Sequence, residues 1–333
     1  MFYPFAVQTI LSFCEGSYIF VAINKEWKNI YILLFKKTET RIGYCSPQQI
    51  EYAIGMGYVL SYYETIRSAA KSGNLNVLKH FFKKDKYKLH KSICAWAALG
   101  GHLDILKWAR ENDCPWDEDT CGSTAFGGNI ETLKWAHENG CPWNEWTCSN
   151  AALGGYFELL KWVRKNNCPW NEYTCASAAC GGNMDMLKWA RANGCPWDEW
   201  TCADAAYGGH FEILKWARAN GCPWDEWTCS YAAKRGGIDI LKWVRENGCP
   251  WDEDTCAYAA ARGHLEILKW ARENGCPWDE ETCAYAAAGG HLEILKWARK
   301  NGCPWNKMVY SYAIKSEHSE ILKWVRENGC PTQ

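Results

Sequence analysis

Trp251-Asp-Glu-Asp-Thr255-Cys-Ala-Tyr-Ala-Ala260-Ala-Arg-Gly-His-Leu265-Glu-Ile-Leu-Lys-Trp270-Ala-Arg-Glu-Asn-Gly275-Cys-Pro277 holds two helices and both ends of each. Asp252 stands where an N-cap oxygen accepts from the first amides of a helix. Trp251 before it and Cys256 after it occupy N′ and N4, the positions of a hydrophobic staple. The first helix is predicted through Ala261, and its Ala259-Ala260 pair lets a second helix come close. Gly263 ends it. Leu265 to Asn274 read as the second helix, with Leu265, Ile267, Leu268, Trp270 and Ala271 in a stripe wide enough to be covered from two sides. Glu266 lies near the positive end of the helix dipole, and Lys269 and Arg272 lie further along. Gly275 is a C′ stop, and Pro277 prevents continuation.

The same unit recurs outward in both directions. Cys-Pro-Trp begins at Cys114, Cys141, Cys168, Cys195, Cys222, Cys249, Cys276 and Cys303, always 27 residues apart, and Cys330-Pro331 closes the series. Leu-Lys-Trp keeps the same beat from Trp108 to Trp324. Upstream, Leu78-Lys79-His80 and Ile50-Glu51-Tyr52 each precede the next copy by 28 residues. Repeats therefore run over 46–333, and residues 1–45 form a separate helical segment. One unit cannot bury its own apolar faces, but stacked units can, with stability a sum of repeat and neighbour terms. The expected fold is an all-α helix-turn-helix solenoid of about ten short repeats. The last repeat changes as a cap should: Ser319 takes the place of Leu292, and Thr332 that of the stapling Trp. The Leu-Lys-Trp tryptophans read as core, so Trp216→Ala is expected to cost roughly 3–5 kcal/mol.

Composition narrows the function classes. With 37 basic and 38 acidic side chains there is no electrostatic case for nucleic acid or an anionic membrane. The run Lys83, Lys84, Lys86, Lys88 and Lys91 reads as a solvated helix end and loop. No segment has the length of apolar chain a membrane helix needs, and the apolar start from Phe2 to Cys14 lacks a basic n-region and a cleavage site. A cytosolic or nuclear protein is expected. The 20 cysteines fall mostly at two places in the repeat, without CxxC or a His at ligand spacing. They read as small buried thiols in a reducing compartment, and no metal or cofactor is expected.

Thr255-Cys-Ala-Tyr-Ala-Ala-Ala-Arg-Gly-His264-Leu-Glu-Ile-Leu-Lys resembles the ankyrin pattern T-P-L-H-x-A-A-x-x-G-H-L-E followed by two hydrophobics and Lys. The resemblance covers about 85 % of the chain. Cys256 stands where ankyrin has Pro, and the period is 27 rather than 33. The missing residues fall between Gly275 and Thr282, where ankyrin repeats carry a β-hairpin finger, so little or no β-structure is expected. The shortened Trp- and Cys-rich form resembles ankyrin families of giant DNA viruses and some protists, which often carry a degenerate F-box in front.

Near-identical units can be compared with one another. Three first-helix positions change freely. The first reads Asp119, Trp146, Tyr173, Trp200, Trp227, Asp254, Glu281. The second reads Trp96, Ser123, Asn150, Ser177, Asp204, Tyr231, Tyr258, Tyr285, Tyr312. The third reads Leu99, Phe126, Leu153, Cys180, Tyr207, Lys234, Ala261, Ala288, Lys315. Their i, i+4, i+7 spacing puts them on one helical face. In ankyrin-like stacks the first helices line the concave side, which implies a continuous groove. At roughly 8–10 Å per helix layer it would extend on the order of 90 Å. Solvent-facing positions also vary by drift, but drift favours small polar residues, and these include consecutive aromatics. Trp146, Tyr173, Trp200, Asp204, Tyr207, Trp227, Tyr231 and Tyr258 are therefore the candidate partner-binding residues. Covering the seam between helices is the structural alternative.

Pro4-Phe5-Ala6-Val7-Gln8-Thr9-Ile10-Leu11-Ser12-Phe13, with Tyr18 to Trp27 downstream, resembles a degenerate F-box. That resemblance implies docking through Pro4, Ile10, Leu11 and Val21 onto the adaptor of cullin-type ubiquitin ligases, although Tyr3 stands where Leu is usual. A helical cap over the first repeat is the other reading of residues 1–45. No Ser/His/Asp set, P-loop, dinucleotide fingerprint or metal motif is present. The recurring Asp-Glu pairs at 117–118, 198–199 and 252–253 repeat at the same helix-start position of the unit and read as caps rather than catalytic carboxylates. The function expected is a non-enzymatic protein-protein interaction scaffold, a monomer, acting as a ligase substrate receptor or as a passive scaffold or decoy.

Overall fold

The protein is described by a computed structural model that covers residues 45–55, 61–85 and 89–332. It divides into two compact units, residues 1–115 and 116–333. Every regular element among the described residues is an α-helix. The predicted absence of a β-hairpin finger holds at each described junction.

The first unit contains α1 (Pro47–Gly55), α2 (Tyr62–Ser72), α3 (Leu75–Asp85), α4 (Lys91–Leu99) and α5 (Leu103–Glu111). The second contains eight helix pairs, numbered α6 to α21. Its first helices are α6 (Glu118–Phe126), α8 (Glu145–Leu153), α10 (Glu172–Cys180), α12 (Glu199–Gly208), α14 (Glu226–Arg235), α16 (Glu253–Ala261), α18 (Glu280–Ala288) and α20 (Lys307–Lys315). The second helices alternate with them, from α7 (Ile130–Glu138) through α13 (Phe211–Ala219) and α15 (Ile238–Glu246) to α17 (Leu265–Glu273) and α21 (Ser319–Glu327). Within this unit each first helix packs on the next first helix and on its own second helix.

The helix boundaries follow the local chemistry. Asp198, Asp225, Asp252 and Asp279 accept the amide two residues on, at 3.2, 3.2, 3.2 and 2.9 Å, which confirms the Asp-Glu pairs as helix starts. At the other end Gly275 adopts φ +83°, as the C′ position requires, and Asn274 Nδ2 donates to the Trp270 carbonyl at 2.8 Å. Units are tied across the turn as well. His210 Nε2 donates to the Cys180 carbonyl at the end of the preceding first helix, 3.0 Å away.

In α8, α10, α12, α14, α16 and α18 the Thr, Cys and Ala-Ala pair are buried, as are the Ile/Leu pair and following Ala or Val of α13, α15 and α17, whereas α20 buries Val309 and Ala313 instead. Small side chains fill the first-helix layer and branched ones the gap between layers. The cysteines among the described residues are free thiols. In the first unit Cys94 and Cys114 Sγ lie 3.6 Å apart. In the second, Cys222 Sγ donates to the Asp198 carbonyl at the start of α12, 3.3 Å away. The hydrogen bond with the Cys222 thiol, and then burial, push Cys202 far above the usual thiol range, so it remains protonated.

The Leu-Lys-Trp tryptophans depart from expectation. Trp108 in the first unit is 8 % exposed, but Trp216, Trp243, Trp270 and Trp297 are only half-buried. Leu and Ala already fill the space between the layers, which leaves the indoles packed against the edge of that core and partly open to solvent. There they join a ladder with the Cys-Pro-Trp indoles. Trp251 lies with the Arg245 guanidinium 4.0 Å over its ring and Trp270 edge-on at 6.0 Å. The same arrangement recurs with Arg191 over Trp197 at 4.1 Å and Trp216 at 5.9 Å. These rings thus join consecutive units through cation–π and edge contacts while resting against the rim of the core.

Candidate partner-binding face

The first-helix layer turns its Cys, Thr and Ala positions inward, so the remaining stripe must face outward. None of the three variable series contains a buried residue among the second unit's helices. Trp146, Tyr173 and Tyr207 are 49 %, 41 % and 40 % exposed. Trp200, Asp204, Trp227, Tyr231 and Tyr258 are half-buried.

The aromatics gather into two groups. Trp146 stacks on Tyr173 with centroids 5.2 Å apart. In the other group Trp200 stacks on Trp227 at 5.9 Å. Tyr231 joins Trp200 at 6.1 Å, Tyr207 at 5.4 Å and Trp227 at 5.8 Å. Trp227 also meets Tyr258 at 6.2 Å. Among the described residues no ring contact joins Tyr173 to Trp200, so the row is interrupted between α10 and α12.

Two features were not singled out by the sequence. The second group continues through Tyr258–Tyr285 at 6.5 Å and Tyr285–Tyr312 at 6.2 Å, a stack along one register of α16, α18 and α20. The recurrence of Tyr at that position was the available signal. Lys234 is the second feature. Its ammonium lies 5.4 Å from the Tyr207 ring, 5.3 Å from Tyr231 and 4.9 Å from Tyr258. These rings belong to three successive first helices, a convergence that no local pattern announces.

The electrostatics of this face are acidic. Asp204 has its carboxyl pushed up to about 6 by burial and by the charge of Asp198. Among the described residues it has no hydrogen bond or ion pair. Asp198, Asp225, Asp252 and Asp254 are also raised, first by burial and then by neighbouring carboxylates.

No family model and no curated protein matches this chain. Among solved structures it is similar to the human ASB11 ankyrin repeat domain, with 17 % identity and a TM-score of 0.37, over 47 % of this chain and 84 % of that chain.

Among the described residues no group of three or more His, Cys, Asp or Glu side chains is placed to hold a metal ion. No described helix is long and apolar enough to cross a membrane. Pro4, Ile10, Leu11 and Val21 of the F-box-like segment lie outside the described residues.

Proposed function

We propose that this protein is a protein-protein interaction scaffold that holds its partner on the first-helix face, centred on Trp200, Asp204, Tyr207, Trp227, Tyr231 and Tyr258 of α12, α14 and α16. The observation that carries this reading is the ring cluster itself. The buried Thr, Cys and Ala of the same helices do the packing, whereas the rings stand on the outer stripe and contact one another across units. A contiguous aromatic patch of this kind is the usual material of a binding hot spot. The role is non-enzymatic, since the recurrent carboxylates serve as helix caps.

The F-box-like residues 1–45 extend the proposal to a substrate receptor that delivers the held protein to a cullin-type ubiquitin ligase. A passive scaffold, with the N-terminal segment as a cap, is the competing form.

The face is tested with Trp200→Ala combined with Trp227→Ala in the full chain. Partner binding in a quantitative pull-down is expected to disappear, with the melting temperature within about 2–4 °C of the parent. Loss of stability together with binding would make the rings packing residues instead. Ile10→Glu with Leu11→Glu separates the two forms: a receptor loses the ligase adaptor but keeps its partner, whereas a passive scaffold never co-purifies with the adaptor.

A further inference from the structure

Resting on the reading of this face as the partner site, we infer that the stretch from α12 to α16 receives a basic segment of the partner, with a lysine or arginine of that segment set between Asp204 and the rings of Trp200, Tyr207 and Tyr231.

The first observation is a carboxylate without a counter-charge. Asp204 lies in the middle of α12, too far along for capping its helix. Tyr231 and Cys180 feel its charge, and the charge that acts on Asp204 is that of Asp198. Two of those neighbours are neutral and the third is acidic. A half-buried carboxylate in such a place costs the fold stability and offers it no bond in return. An incoming ammonium or guanidinium would supply the missing partner.

The second observation is independent of the acids. The ring cluster already seats a cation: Lys234 Nζ lies within 5.4 Å of three tyrosine ring centroids. This is the distance range in which a ring face attracts positive charge. Lys234 forms no ion pair among the described residues. The rings that would greet a partner's cation therefore have cation-binding geometry in the free protein. Two of them, Tyr207 and Tyr231, are shared between Lys234 and the Asp204 position.

The third observation is the charge of the surroundings. Glu172, Glu199, Glu226, Glu253 and Glu281 stand beside the N-caps Asp198, Asp225, Asp252 and Asp279 along successive first helices, and Asp254 adds to them. Burial first, and repulsion from these neighbouring carboxylates second, raise Asp198, Asp225, Asp252 and Asp254. A basic segment laid along the row would relieve that repulsion at several units at once. A phosphate-bearing or acidic partner would increase it, so the sign of the row selects the partner.

The test is selection of a random peptide library on the full-length protein, with counter-selection on the Trp200→Ala/Trp227→Ala variant, followed by anisotropy titration of labelled winners. Peptides rich in lysine and arginine are expected. Asp204→Asn should weaken them about tenfold, Asp204→Glu should retain most of the affinity, and raising salt from about 0.05 to 0.5 M should weaken them further. Lys234→Ala should tighten binding severalfold by freeing the rings. Face-dependent peptides without basic residues, or an Asp204→Asn variant that binds within about twofold of the parent, overturn the inference and leave the face as a partner site. If no recovered peptide depends on Trp200 and Trp227, the face reading fails and the inference falls with it.

Discussion

Replacing Asp204 by Asn should make the protein more stable near neutral pH, because the fold holds this carboxylate at a cost. Its folded value of about 6 stands against 3.8 for the free side chain. A difference of about two pH units corresponds to about 3 kcal/mol. Asp204 keeps some access to water, so screening brings the expected gain to roughly 1–3 kcal/mol. The sign follows from proton binding. Between 3.8 and about 6 the folded chain holds a proton that the unfolded chain has released, so stability from this group falls as pH rises through that window. The penalty is complete above about 6 and absent below 3.8. Asn is nearly isosteric and no hydrogen bond of Asp204 is lost, so little else changes. Urea unfolding of the parent and Asp204→Asn at about pH 7.5 and again at about pH 3.5, with m-values compared, measures the difference. A gain at the higher pH that vanishes at the lower one is expected. Equal stability at pH 7.5, or the same gain at both, would refute the account of Asp204 as an unpaired, desolvated charge.

The packing makes two further predictions. Leu214→Ala should cost about 2–5 kcal/mol, since Leu214 is fully buried between the helix layers. Trp216→Ala should cost only about 1–2 kcal/mol, the loss of its edge contact with Trp197 and of covered surface; parallel denaturant titrations giving the reverse order would return the indole to the core. The Thr201 hydroxyl is buried with no hydrogen-bond partner among the described residues. Thr201→Val should therefore stabilise by about 0.5–1.5 kcal/mol, and a loss of more than about 1 kcal/mol in the same assay would show that the hydroxyl has an acceptor.

Much of the architecture was legible because it is local and repeated. The N-cap Asp, the C′ Gly, the following Pro and the apolar stripe each act over a few residues, and Asp252 and Gly275 stand where those signals placed them. Comparing the units with one another separated the unvarying Thr, Cys and Ala of the first helix from the variable stripe, and the buried and outward positions follow that division. The Leu-Lys-Trp indoles misled, because helical periodicity gives the side of a helix a residue occupies and not how much covers it. Trp216 lies on the packed side, yet Leu214 and Ala217 already fill the space that would have buried it.

The sequence by itself determined the helix pairs, their spacing, the stacked arrangement and which stripe varies, since these depend on contacts within a unit or with an identical neighbour. Tertiary structure decided what the variable residues form together. Lys234 among Tyr207, Tyr231 and Tyr258, the break between Tyr173 and Trp200, and the unpaired state of Asp204 all depend on side chains from different units meeting in space. Distances between units follow from how one helix packs on the next, and the positions along a single unit carry no record of them.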